Sequence, residues 1–164
     1  MIFYCHFSAP LGRITIVQNG DAITHLHIGE MPVLPADAEE RATPLLRESC
    51  RQLSEYFAGT RQTFSLPLAP AGTDFQKKAW RALCTIPYGQ TRTYKDMAIA
   101  IGCPKGFRAV GLANNKNPIA ILIPCHRVIG ANGKLVGYAG GLHLKKFLLE
   151  LEGVPVAENI YHMR

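Results

Sequence analysis

Long apolar runs are missing from this chain of 164 residues. The longest, Pro118 to Cys125, spans 8 residues, whereas a helix crossing a bilayer needs about 20. The opening Met1-Ile2-Phe3-Tyr4-Cys5-His6 lacks the basic flank and apolar stretch of a secretory leader. The expectation is a cytoplasmic protein with no membrane partner. The 5 cysteines are odd in number and no two stand in a CxxC spacing. That argues against a disulfide framework and against a zinc site closed by cysteines. It fits a reducing compartment, where a single cysteine can serve as a nucleophile. Repeats and low-complexity segments are absent too. Acidic side chains are scarce in the second half. Residues 71–164 hold 13 basic and 5 acidic side chains, net +8, against 5 and 7, net −2, in residues 1–70. A basic half points to a polyanion, most simply nucleic acid. A solubilising surplus of lysine and arginine is the plain alternative.

What is present is enough for a core. With 48% hydrophobic and 18% charged residues the chain can fold as one compact domain or two small ones. Residues 11–17 read as a strand, Asn19-Gly20-Asp21 as a tight turn, and Ile23–Ile28 as the returning strand. In that strand Leu26 and Ile28 share one face, His25 and His27 the other. Residues 29–43, acidic and with two prolines, read as a surface loop. Thr43-Pro44 carries cap chemistry for a helix to Phe57, with Leu45, Leu46, Leu53, Tyr56 and Phe57 apolar and Gly59 ending it. Phe64–Leu68 fits a further strand. Pro70-Ala71-Gly72, where the charge changes sign, is the boundary, giving domains 1–72 and 73–164.

In the second half, Phe75, Ala79 and Leu83 predict a helix over 73–84. Thr93 with Asp96 resembles a capping box before a helix bearing Tyr94, Met97, Ala98 and Ile101. Gly102 stops it, and Pro104 starts a third helix reaching about Asn115. Two short helices joined by a tight turn suggest a helix-turn-helix, with Lys105 and Arg108 in the first turn of its recognition helix. Ile119–Ile123, between prolines, reads as a buried extended segment. Asn132-Gly133 is a hairpin turn. Leu142–Glu152 is a last helix with Leu144, Phe147, Leu148 and Leu151 inward and Gly153 as its cap.

Cys125 beside His126 is the chemical centre. A free thiol is only slightly ionised at neutral pH, and a neighbouring imidazole changes that. A buried structural cysteine beside a surface histidine is the plain alternative. Adjacent strand residues point to opposite faces, so a direct bond between the two needs a bend or a bridging water. Glu152, in the last turn of a helix, opposes the macrodipole at about 0.3–1 kcal/mol. Orienting His126 would justify that placement. Arg108 reads as a solvated cation or as a wedge at DNA. Small Gly111 and Ala113 suit either close helix packing or close approach by a ligand. Cys5 with His25 and His27 is a candidate metal site, but exposed histidines on a strand are the ordinary case, and 102–106 lacks the residue order of a phosphate loop.

Pro124-Cys125-His126-Arg127-Val128, with Asn117-Pro118 and Ile119–Ile123 before it, resembles the active-site signature of O6-alkylguanine-DNA alkyltransferases. The likeness extends through Phe75–Trp80, Ile86–Gly89, Arg108–Gly111 and Gly137–Gly141, nearly all of 73–153. Residues 1–70 match only loosely, in the order of elements and in Tyr56–Gly59. The resemblance implies an α/β two-domain protein. Its N-terminal domain would be ribonuclease H-like and α/β. Its C-terminal domain would be mainly α, winged helix-turn-helix-like, and carry the active site. It implies binding to the minor groove of double-stranded DNA, with Lys105, Arg108, Gly111, Ala113 and Tyr94 at the DNA. The alkylated base would be flipped out and Arg108 would fill the gap. Cys125 would then take the alkyl group irreversibly, once per chain, from O6-alkylguanine or O4-alkylthymine. His126, through a water, and Glu152 would deprotonate Cys125, and Tyr94 would donate toward guanine N3. Cys125, Val128, Tyr138, Ala139 and Asn117 would form the alkylguanine pocket. No cofactor or metal is implied. The implied state is a monomer capable of cooperative assembly on DNA. Ala139 stands where some members have serine, and Phe107 where small residues are frequent. Two other function classes compete: a lesion sensor without transfer, and a cysteine hydrolase using Cys125, His126 and Glu152.

Overall fold

The computed structural model describes residues 1–30 and 33–156. It divides into two compact units. One is Met1–Ala71 with Pro118–Leu122, and the other is Gly72–Asn117 with the chain from Ile123 onward.

The first unit is a sheet with one helix. Strands β1 (Ile2–Ala9), β2 (Gly12–Asn19) and β3 (Ala22–Ile28) form an antiparallel meander, and β4 (Glu39–Glu40) pairs parallel with β1. The order is β3-β2-β1-β4. Ile14, Thr15, Ile16 and Val17 of β2, which has a neighbouring strand on both edges, are all buried. Helix α1 (Pro44–Phe57) starts where the sequence predicts. Thr43 Oγ1 accepts the Leu46 amide at 3.1 Å and Pro44 fills the first turn. Leu46, Ser49, Leu53 and Tyr56 turn inward at helical spacing.

Two expectations change here, and one strand is not read from the sequence at all. Ile2–Ala9, which periodicity does not single out, is a full strand. It lacks alternation because it is half-buried on both faces. The 29–43 loop contributes the two residues of β4. Phe64–Leu68 is not a strand. Pro67 has no amide to donate, and only Leu68 bridges to β3, at Ile23.

The second unit is mainly helical. It comprises α2 (Asp74–Leu83), β5 (Arg92–Thr93), α3 (Tyr94–Ala100), α4 (Phe107–Asn115), one 3-10 turn (Cys125–Arg127), β6 (Val128–Ile129) and α5 (Leu142–Leu151). Strands β5 and β6 pair in parallel. Both α2 and α3 open on complete capping boxes, Thr73 with Gln76 and Thr93 with Asp96. Helix α4 begins later than Pro104 would have it. The Gly106 amide donates to the Cys103 carbonyl at 2.7 Å, so Pro104 opens a turn and Gly106 caps the helix. Lys105 therefore lies ahead of α4, not in its first turn. Ile119–Ile123 is buried as expected but is not extended: it is a bridge residue followed by turns, with Ile121 at φ 70. On α5 the inward residues are Leu144, Lys145, Leu148 and Leu149, while Phe147 and Leu151 are half-buried. Among the described residues no helix is long and apolar enough to cross a membrane.

Candidate active site

Cys125 sits at the start of a chain reversal. Arg127 N–H donates to the Pro124 carbonyl at 3.1 Å and Val128 N–H to the Cys125 carbonyl, closing the 3-10 turn. Three residues per turn rotate neighbours by about 120°. Cys125 and His126 are thus not thrown to opposite faces, as a strand would throw them. Cys125, His126 and Arg127 are all buried.

Asn117 Nδ2 donates to the Ile123 carbonyl at 2.8 Å and lies 3.2 Å from Cys125 Sγ. It ties the turn to the end of α4 and offers the sulfur a hydrogen bond. Burial pushes the Cys125 thiol above its ordinary value, while the Asn117 donor and the Lys145 charge pull the other way. At neutral pH the group is a thiol that needs a base.

The neighbouring His126 imidazole is held by Glu152, which follows the last turn of α5. Its carboxylate accepts from His126 Nε2 at 2.8 Å, from Arg127 Nε and Nη2 at 2.9 and 3.0 Å, and from the Gly89 amide at 3.2 Å. Arg127 also donates Nη1 to the Ile86 carbonyl at 2.7 Å and lies over the Tyr88 ring. A carboxylate only accepts, so His126 carries its proton on Nε2. Burial holds His126 below its ordinary pKa against the pull of Glu152, and the imidazole is neutral. Its Nδ1 is then a lone-pair acceptor, and it is buried without a hydrogen-bond partner. The Arg127 guanidinium offsets the macrodipole that Glu152 opposes.

Lys145 lies seven residues before Glu152 on α5, on the same face. It is fully buried. Its Nζ donates to the carbonyls of Val136 and Gly137 at 3.0 and 3.2 Å and to the Tyr94 hydroxyl at 3.4 Å. Burial lowers its pKa to about 8, against the pull of Cys125. The Tyr94 hydroxyl donates to the Val136 carbonyl at 2.7 Å. Burial, then the Cys125 charge, push it up to about 12, so it stays a proton donor. The Tyr138 hydroxyl is buried without a partner, and burial and Cys125 raise it as well.

An open cavity of about 440 Å³ adjoins Tyr94, lined also by Phe107, Arg108, Gly111, Leu112 and Val136. Phe107 and Leu112 are 48% and 67% exposed there, an apolar rim beside an exposed arginine.

Two family models match the chain: "6-O-methylguanine DNA methyltransferase, ribonuclease-like domain" over residues 2–70, and "6-O-methylguanine DNA methyltransferase, DNA binding domain" over 74–154. The chain belongs to the 6-O-methylguanine DNA methyltransferase family. A methylated-DNA–protein-cysteine methyltransferase of Methanosarcina barkeri is 54% identical over 154 residues, covering 92% of this chain and 97% of the relative. The constitutive Bacillus subtilis protein of that name is 46% identical over 164 residues, covering 96% and 99%. The crystal structure of Mycobacterium tuberculosis O6-methylguanine methyltransferase superposes with a TM-score of 0.86 at 43% identity, covering all of both chains. The M. tuberculosis protein in complex with DNA gives 0.85 at 46%, covering 92% and 93%.

In this methyltransferase the fold brings together Asn117, Cys125, His126 and Glu152, with Tyr94 and Tyr138 within reach of the Cys125 charge. Val128 is buried in β6, and Ala139 is exposed. Of the residues expected at DNA, Arg108, Gly111 and Tyr94 share the cavity. Lys105 is exposed outside its lining. Ala113 is a correction: it is 2% exposed, and its carbonyl accepts the Trp80 indole N–H at 2.8 Å. It falls at i+3 from Val110, on the packed face of α4. Gly111 faces the other way, where an added Cβ would meet nothing closer than the Tyr94 ring at 3.9 Å. Close helix packing therefore does not explain this glycine.

Sequence reasoning missed Arg127 and Lys145, because a lone cation reads as surface. A signal existed on α5. Lys145, Leu148, Leu149 and Glu152 fall at i, i+3, i+4 and i+7, which puts two opposite charges on one apolar stripe. Among the described residues no three His, Cys, Asp or Glu side chains cluster as metal ligands would.

Proposed function

We propose that this enzyme repairs O6-alkylguanine in double-stranded DNA by moving the alkyl group to Cys125, once per chain. O4-alkylthymine is a second substrate by the same chemistry. The observation that carries this reading is the buried neutral His126, fixed by Glu152 through Nε2 with Nδ1 left to accept, one residue from a buried thiol. The thiol proton passes through a bridging water to Nδ1. The thiolate attacks the alkyl carbon in line, a C–S bond forms, and the C–O6 bond breaks with its electrons passing to guanine. Tyr94 donates toward N3 to neutralise the departing base. The Asn117 donor and the Lys145 charge favour the thiolate, and Tyr138, Val128 and Ala139 wall the guanine. A thioether is not readily cleaved, so the protein is consumed.

The DNA side of the proposal puts α4 in the minor groove, with Arg108 filling the gap left by the flipped base. Flipping costs a few kcal/mol, less for a poorly paired lesion. Lys105 would add a phosphate contact ahead of the helix. In the same reading residues 1–72 support the DNA-binding and acceptor part, 73–164. The protein acts as a cytoplasmic monomer that assembles cooperatively on DNA.

The deciding experiment is mass spectrometry after mixing the protein with an oligonucleotide carrying O6-methylguanine. One methyl on the peptide holding Cys125, saturating at one per chain, is expected. A lesion-selective gel shift with no methyl gain would make the protein a sensor instead. Arg108→Ala should slow repair in duplex by about tenfold or more, as loss of a few kcal/mol of flipping support implies. Reaction with free O6-alkylguanine should be barely affected, and equal losses in both assays would discredit the wedge. Lys145→Met should cut transfer about tenfold at pH 7, the effect of one pKa unit on the thiol. The wild-type ammonium titrates near 8. The deficit should therefore shrink as pH rises past that value, and a pH-independent deficit would point to lost packing.

A further inference from the structure

Alkyl transfer uses Cys125 alone and leaves four cysteines without a role. Two of them face each other. Cys5 on β1 and Cys50 on α1 bring their sulfurs to 3.7 Å across 45 residues of chain. Both side chains are half-buried, whereas Cys84 and Cys103 are exposed and have no such partner described. A disulfide needs the sulfurs at about 2.05 Å. Side-chain rotation between a strand and the helix packed on it can supply the difference.

We propose that Cys5 and Cys50 form a redox-reactive dithiol, closing to a disulfide by exchange with a low-molecular-weight disulfide such as oxidised glutathione. The order of attack follows from their hydrogen bond. Either sulfur can donate across the contact; with the shared proton on Cys5, the bond holds Cys5 above its ordinary range and Cys50 below it. Cys50 loses its proton first, attacks one sulfur of the small disulfide and expels the other half as a thiolate. Cys5, on losing its proton to solvent, attacks Cys50 Sγ in the mixed disulfide and expels the second half. The two protein thiols are oxidised by two electrons, and the small disulfide is reduced to two thiols.

Cys125 stays out of this exchange. It is buried, its thiol is pushed up by burial, and the thiolate is the reactive form. The pair oxidises while the alkyl acceptor remains reduced. The closed form ties β1 to α1 and constrains the unfolded chain, so it should unfold at a higher temperature.

The test treats the whole protein with oxidised glutathione, blocks free thiols with N-ethylmaleimide and digests with trypsin without reduction. The expected product is Met1–Arg13 joined to Glu48–Arg51, lighter by two hydrogen atoms than the two peptides together. Cys125 should be recovered free, and dithiothreitol should reverse the linkage. The thermal midpoint should rise by several degrees on oxidation and fall back on reduction. Cys50→Ser should fold, give no linked peptide and show no shift. Recovery of Cys5 and Cys50 as maleimide adducts, with glutathione on Cys84 or Cys103 instead, would overturn the proposal. So would a stable glutathione adduct on Cys50. Neither result depends on methyl transfer, so failure here leaves the repair reading standing.

Discussion

Cys125→Ala is expected to abolish methyl transfer completely while lesion binding stays within about threefold of the wild type. The sulfur is the atom that forms the new bond, and alanine offers nothing in its place. The fold should tolerate the change. Cys125 is a small buried side chain, and its one described side-chain partner, Asn117, keeps its bond to the Ile123 carbonyl. Loss of a sulfur-sized group from a core costs about 1 kcal/mol. Lesion binding should survive because Arg108, Tyr94 and Gly111, the residues proposed to meet DNA, line a cavity that Cys125 does not. The measurement pairs radiolabelled methyl counts on the protein with gel shifts on O6-methylguanine and unmodified duplexes at fixed salt. Label on the alanine variant would mean that another nucleophile accepts the group.

Glu152→Gln should be nearly as severe, and it should act on two observables. The carboxylate accepts from at least four donors, three of them on the buried His126 and Arg127 side chains. A glutamine has one acceptor oxygen. Arg127 loses its counter-charge in a buried setting, and breaking such a pair costs about 3–5 kcal/mol. The thermal midpoint should fall by about 10 °C in a protein of this size. At 10 °C, where the fold should persist, transfer should still be down about a hundredfold, the scale of a lost general base. The glutamine amide can donate to His126 Nε2, which drives the imidazole proton onto Nδ1, where no thiol proton can then be accepted. The apparent thiol pKa should rise, so activity should climb with pH and the gap to wild type should narrow in alkali. An unchanged pH–rate profile would sink the relay.

Wild-type stability should carry a matching acid signature. His126 has a depressed pKa in the fold. The unfolded chain therefore binds its proton first as pH falls below about 6.5. That contribution is complete above this pH and is lost on acidification.

Local chemistry was the most legible layer of the sequence. Thr43-Pro44 and Thr93 with Asp96 act within four residues, and each starts a helix in the structure. Cys125, His126 and Glu152 could be grouped because a short motif and a misplaced carboxylate marked them. What failed depends on distant partners. Ile2–Ala9 is a strand because β2 and β4 flank it, and Phe64–Leu68 is not one because Pro67 interrupts it. Pro104 looks like a helix start until the Gly106 amide turns back to Cys103. Ile121 holds a left-handed conformation that a β-branched residue rarely adopts, and nothing in its own neighbourhood forecasts it. Lys145 and Arg127 were passed over because the charges that justify burying them come from elsewhere in the chain.

The outer edge of β3 has a bearing on how the protein is made. That edge is covered by two irregular segments, Pro67–Ala69 at Ile23 and Pro118–Ala120 at Leu26. The second emerges from the ribosome long after the strand it covers. Until then the sheet has an unpaired row of amides and carbonyls, the kind of edge to which other chains add. Residues 118–122 complete the sheet, and the turn bearing Cys125 follows directly. During synthesis, closing the first unit and producing the alkyl acceptor are consecutive events on one short stretch of chain.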